Sequence, residues 1–197
     1  MTTNLKPAPG EKYTVRRKVF KLFGAAFHIY GPEGNVVGFC DQKAFKLRED
    51  LRVYTDETKA SLLLRIHTEQ IIDFGATYKV TLPDGSTIGA FRRGGMASTF
   101  YKDSWYITSP DGREVAKLTE DSGALAILRK FTDFGGLFPQ KFTVTGLDGE
   151  PIATLRTHFN LFIYRLGVAI HRDHPDMDEL MVIALACAVA AIEGRQD

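Results

Sequence analysis

Two short stretches hold the residues best suited to chemistry. Near the C-terminus, HRDHPDMDEL (171–180) gathers Asp173, Asp176, Asp178 and Glu179 with His171 and His174. Carboxylates at this density could bind a hard cation such as calcium, and two histidines three residues apart could ligate a softer metal. Near the N-terminus, RRKVFK (16–21) interleaves Arg16, Arg17, Lys18 and Lys21 with apolar residues. Cations spaced this way suit the phosphate oxygens of anionic lipid headgroups. Arg92-Arg93, ahead of Gly94-Gly95, is a candidate of the same kind, as is Arg129-Lys130.

Each stretch also has a plainer account. Acids at a helix start cap it and meet its dipole, which explains Asp176, Asp178 and Glu179 without a metal. The stretch lacks the alternating acids, glycine and final glutamate of an EF-hand loop, and the histidines have no third ligand at a recognisable spacing. No cofactor is expected; if calcium bound, Asp173, Asp176 and Asp178 would hold it. The plainer account of the basic stretch is a solvated strand face at the barrel end. Asp73-Phe74-Gly75, Asp133-Phe134-Gly135 and His171-Arg172-Asp173 spell kinase tripeptides, but in reversed order and in too short a chain. With no Walker loop, G-x-S-x-G or H-E-x-x-H, no enzyme is expected.

The elements that must position these residues are mostly strands. HIYGPEGNVVGF (28–39), YKVTLPDGSTIGAF (78–91), WYITSPDGREVAKL (105–118) and FTVTGLDGEPIATL (142–155) repeat one plan. Each is a β-rich run, an acid followed by glycine, and a second β-rich run. Glycine takes the positive φ of a tight turn and the acid caps it. LRVYTDETKASLLLRI (51–66) is a fifth copy without the glycine. Residues 13–22, 124–131 and 160–170 add further strand candidates. Roughly twelve strands exceed what a twisted open sheet carries, so a closed antiparallel barrel is predicted. The aromatic residues mostly alternate within these strands, which makes them core before nucleic-acid stacking platforms.

One helix is predicted, over about 177–192, with Asp176 as its N-cap. Its body, LMVIALACAVAAI (180–192), is apolar on every face. Such a helix either spans a membrane or is wholly buried. Thirteen residues cover about 20 Å, short of the roughly 30 Å of a bilayer core, so burial inside the barrel is expected.

Composition limits the rest. The chain is 44% hydrophobic and 25% charged with a net charge of +1, so no global field draws it to nucleic acid. Residues 1–21 hold Lys6, Lys12, Arg16, Arg17, Lys18 and Lys21 against Glu11, whereas residues 171–197 are acidic. The two ends are expected to lie near each other. Cys40 and Cys187 read as small buried hydrophobes. The N-terminus, MTTNLKPAPGEKY, has no apolar secretory core, so a cytoplasmic location, peripheral at a membrane if lipid is bound, is expected.

The order of these pieces resembles a family. YTVRRKVFKLFGAAFHIYGPEGNVVGF (13–39), LRVYTDETKASLLLRIHTEQ (51–70), YKVTLPDGSTIGAF and DMDELMVIALACAVAAIE (176–193) are similar to LURP-one-related and phospholipid scramblase-like proteins. The resemblance runs along nearly the whole chain. It implies the tubby-like superfold, a closed barrel around a central hydrophobic helix, with phosphoinositide binding in the tubby domains and calcium-linked lipid movement in the scramblases. The acidic stretch departs from the scramblase pattern, being shorter and carrying two histidines. The expectation is a loose tail over 1–11 and one domain over 12–194. Its expected role is a non-enzymatic module for anionic phospholipid headgroups or a membrane surface, with Arg16, Arg17, Lys18, Lys21, Arg92 and Arg93 as the cations. The alternative is a scaffold for a protein partner with no lipid role.

Overall fold

The computed structural model describes residues 5–18, 25–42, 50–68, 77–94, 104–121, 140–158 and 163–193. Among these, twelve strands form one closed barrel. They are β1 (Tyr13–Arg17), β2 (Ala26–Tyr30), β3 (Val36–Gln42), β4 (Asp50–Tyr54), β5 (Leu62–Thr68) and β6 (Thr77–Thr81). The second half is β7 (Thr87–Arg93), β8 (Ser104–Thr108), β9 (Glu114–Glu120), β10 (Lys141–Gly146), β11 (Pro151–Thr157) and β12 (Arg165–Ile170). Each strand pairs antiparallel with its sequence neighbour, and β1 closes the ring on β12. The predicted fold class is correct. The five hairpins supply β2–β11, and the ends of the chain supply the closing pair. The strand candidate 124–131 lies outside the described residues.

The acid–glycine motif acts through a specific turn. Gly34, Gly85, Gly112 and Gly149 sit at φ of 78°, 88°, 84° and 83°. Each N–H donates to the carbonyl three residues back, as from Gly85 to Leu82 at 3.0 Å, and the loop closes with a bond such as Leu82 N–H to Ser86 O at 2.9 Å. This is a type I turn followed by a left-handed residue, which leaves a bulge in the ladder. The register shifts at Ile29/Tyr30, Val80/Thr81, Ile107/Thr108 and Val144/Thr145 are those bulges. The acid works as read: Asp84 Oδ1 accepts from the Ser86 N–H at 2.9 Å. In the glycine-free fifth turn, Lys59 takes the positive φ, at 60°.

The helix α1 (Glu179–Glu193) enters at the hairpin-turn end of the barrel. Met181, Val182 and residues 184–191 are each at most 3% exposed. Burial of each of its larger aliphatic side chains contributes about 1.5–3 kcal/mol. The strands meet it with Val15, Ile29, Val53, Leu64, Ile66, Phe91, Leu118, Leu155 and Val168, all at most 1% exposed. On β7, Gly89 faces α1: a Cβ there would lie 2.8 Å from Met181 Cε. Cys40 and Cys187 are free and buried in this core. Among the described residues, no helix is long and apolar enough to cross a membrane.

The N-cap differs from expectation. Asp178, not Asp176, caps α1, its Oδ1 accepting from the Leu180 N–H at 2.7 Å. The helix starts later because residues 174–177 form a tight turn of their own. There the Met177 N–H donates to His174 O at 3.2 Å and the Asp176 N–H to His174 Nδ1 at 3.2 Å.

Candidate functional site

The barrel interior is taken up by α1, so the polar chemistry lies on the outer face. Strand alternation decides what appears there. On β1, Val15 points inward and Arg16 outward. Register then sets Arg16 beside His28 of β2 on one side and Arg165 of β12 on the other. Beyond Arg165 comes His158, whose N–H donates to Arg165 O at 2.9 Å. The outer face therefore carries a row: His28, Arg16, Arg165, His158.

The carboxylates on this row sit at its two ends, and both are engaged. At one end, Glu57 reaches down from the β4–β5 turn to His28 and Lys18. The Lys18 hydrogen bond and then the His28 hydrogen bond hold the Glu57 carboxyl below its usual range. At the other end, Glu11 Oε1 lies 2.8 Å from His158 Nε2, and Glu11 Oε2 accepts from the Ala8 N–H at 3.2 Å. The arginines between have no such partner among the described residues, and Arg165 Nε is buried without a hydrogen bond. Like charges on directly paired strand positions, with Cβ atoms about 5 Å apart, repel.

The other predicted cations are placed differently. Arg17 follows on the inward side at the barrel rim, its N–H donating to Tyr164 O at 3.0 Å. Lys18 is held by Glu57 and rests over the Phe39 ring at 5.7 Å. The β4–β5 turn is drawn back across β3 by the Lys59–Asp41 ion pair, and this covers Phe39 and His28. Lys21 lies outside the described residues, as do Arg129 and Lys130. Arg92 stacks on Tyr106 at 5.4 Å, which carries Lys117 at 5.3 Å as well, and Arg93 is exposed beside it. These two arginines are on β7, six places from β1 around a ring of twelve. The basic pairs that looked alike in sequence are on opposite sides of the barrel.

The acidic stretch fastens the helix entry. Asp178 caps α1, and Asp176 lies 3.5 Å from an Arg113 guanidinium nitrogen. Arg172 pairs with Asp148 at 2.7 Å, and Asp173 is exposed. Glu179 accepts from Lys12 at 2.8 Å and from the Tyr13 hydroxyl. Burial works to raise the Glu179 carboxyl, but the Lys12 and Tyr13 hydrogen bonds outweigh it and hold it low. Burial, and then Glu179 itself, push the Tyr13 phenol up. The oppositely charged ends do meet, as expected, at Lys12 and Glu179. Among the described residues, no three histidine, cysteine, aspartate or glutamate side chains cluster as a metal site.

Sequence reasoning missed Arg165. It stands in LFIYRLGVAI (161–170) without a basic neighbour, and only the β1–β12 register brings it beside Arg16.

Comparison with known families gives one match. A family model described as LURP-one-related fits residues 37–190, well over half of the chain and most of β3 through α1. The span includes Arg165 and leaves out β1 with Arg16. A comparison with curated proteins gave no match.

Proposed function

The chain belongs to the LURP-one-related family, and from that premise we propose that it is a non-enzymatic module docking on anionic phospholipid headgroups at a cytoplasmic membrane surface. The observation that carries this reading is the Arg16–Arg165 pair. Two guanidinium groups stand abreast on adjacent strands while the carboxylates at both ends of their row are already engaged. A phosphate between them relieves their repulsion and accepts paired N–H bonds from each planar fork. Each cation close to an anionic surface contributes about 1 kcal/mol, so the pair contributes about 2 kcal/mol, roughly thirtyfold in partitioning.

Vesicle flotation tests this. The protein is expected to float with phosphatidylserine-containing vesicles and not with phosphatidylcholine alone, and to be released as salt rises. Arg16→Gln with Arg165→Gln is expected to abolish the preference at physiological salt, and Arg92→Gln to leave it. Absence of any preference at low salt removes the lipid reading in favour of a scaffold for a protein partner.

A further inference from the structure

A second feature of the outer face lies on β10–β12, beside the row of arginines but separated from it by Glu11. Outward strand positions usually carry sizeable polar side chains. On β12 the two after Arg165 are Gly167 and Ala169. They leave a trough. The Glu11 carboxylate rests in its upper part: a Cβ on Gly167 would meet it at 2.0 Å. Glu11 is held there by His158 and by the Ala8 N–H, with its side chain only 9% exposed. The Pro9–Gly10 turn thus stands as a fixed wall, and Ala169 is the open floor of a cleft of about 480 Å³.

The groups around that floor are complementary to a phosphate ester. Arg156 and Lys141 are register partners on β11 and β10 and line the cleft together. Arg156 is exposed, with no hydrogen-bond or ion-pair partner among the described residues. Lys141 is steadied by Asp121 at 2.9 Å, which also accepts from the Thr143 hydroxyl at 2.8 Å. Opposite Thr143, the Thr154 hydroxyl shares a hydrogen bond with His171 Nε2 at 2.8 Å. Beyond those bonds, the Arg156 guanidinium and the remaining N–H groups of Lys141 offer more donors than a carboxylate's two oxygens can use, and suit the three terminal oxygens of a phosphate monoester. The volume is in the range of small-molecule sites and well beyond a phosphate alone. Pro9, Pro151 and Ala169 line much of the rest, so the remainder of the ligand meets largely apolar surface beside the polar atoms of Thr143, Thr154 and His171.

We infer that this cleft binds a phosphate monoester, with Arg156 and Lys141 on the phosphate and Thr143, Thr154 and His171 as hydrogen-bonding partners for the rest of the ligand. The inference stands apart from the membrane reading, because it requires neither Arg16 nor Arg165. The ester can come from a soluble phosphate monoester or from a phosphorylated lipid headgroup.

The test is an NMR titration of the full-length protein with glycerol 3-phosphate, inorganic phosphate and, as a control, glycerol. Glycerol 3-phosphate is expected to shift amides of β10–β12 saturably, and glycerol to shift none. Arg156→Gln is expected to weaken binding at least about tenfold. Ala169→Leu, which fills the floor from the solvent side, is expected to abolish it without changing the thermal transition. Arg16→Gln with Arg165→Gln is expected to leave it intact. Competition by vesicles containing phosphatidic acid assigns the ester to a lipid headgroup, and lack of competition assigns it to a free solute. No saturable shift with glycerol 3-phosphate, or equal binding by Arg156→Gln, overturns the inference. Flotation on phosphatidylserine vesicles reads the membrane proposal separately, so either can fail alone.

Discussion

Gly89→Ala tests whether α1 is packed as tightly as its burial implies. Gly89 sits at φ 154°, a conformation that side-chain-bearing residues rarely adopt, and this alone costs about 1–3 kcal/mol. The added Cβ would also lie 2.7 Å from the Thr108 carbonyl and 2.8 Å from Met181 Cε. Thr108 belongs to the β7–β8 ladder and cannot retreat without loosening it, whereas Met181 can rotate. Overpacking adds about 1–3 kcal/mol, for a total of about 4 kcal/mol. With a urea m-value of about 2 kcal/mol/M, the unfolding midpoint falls by roughly 2 M. Gly85→Ala is the comparison. Its φ is 88° with nothing within 4 Å of the new Cβ, so only the backbone cost applies, about 1–2 kcal/mol. Adding Met181→Ala to Gly89→Ala is expected to recover about 1 kcal/mol of coupling, because the helix side of the clash is removed and the Thr108 side is not. If Gly89→Ala is no more destabilising than Gly85→Ala, α1 does not press on β7 and the packing argument is wrong.

Two further outcomes are expected. Ala186→Asp places an unpaired carboxylate where the native side chain is fully buried, costing several kcal/mol and with it the cooperative fold; a soluble variant with a sharp urea transition would refute burial of α1. Asp50 is buried on the outer face, and although burial works to raise its carboxyl, hydrogen bonds from Arg65 and Arg52 outweigh this and hold it below the usual range. Its stabilisation is therefore present above the unfolded value of about 3.9 and is lost as pH falls through the lower folded value. The gap in urea stability between wild type and Asp50→Asn is expected to be widest near neutral pH and to close in acid. A gap that does not change with pH would show that the two arginines do not hold the carboxylate.

The barrel was legible in the sequence because its turns are chemically marked. Glu33-Gly34, Asp84-Gly85, Asp111-Gly112 and Asp148-Gly149 each announce a left-handed position, and the chain between them has nowhere to go but back. The apolar run around Ala186 was legible because its length fits a barrel and not a bilayer. The N-cap was placed two residues early because Asp176 and Asp178 are equally good caps by type. Only the His174–Met177 turn decides between them. The site was less legible still. Arg16 was named and Arg165 was not, since pairing across β1 and β12 depends on how the ring closes, and that closure leaves no local mark in either strand.

Ring closure also decides what a flat surface can touch. In sequence, Arg16-Arg17 and Arg92-Arg93 are the same dipeptide and invite the same reading. In the barrel, β1 and β7 are six strands apart in either direction, so a bilayer resting on the flank at Arg16 is on the far side from Arg92. Strand alternation divides the pairs once more, sending Arg16 and Arg92 outward and Arg17 and Arg93 to the inward side at the rim. Arg92 moreover already faces Tyr106, a partner that accommodates a cation without neutralising it. The flank of β10–β12 and β1 is different in kind. There Arg16, Arg165 and Arg156 have no carboxylate partner among the described residues, and the acids on this flank are engaged, Glu11 in holding the N-terminal turn and Asp121 by Lys141 and Thr143. A surface that keeps its acids occupied and its arginines unoccupied suits anions from outside, which is why the lipid and phosphate-ester proposals both fall on this side of the barrel.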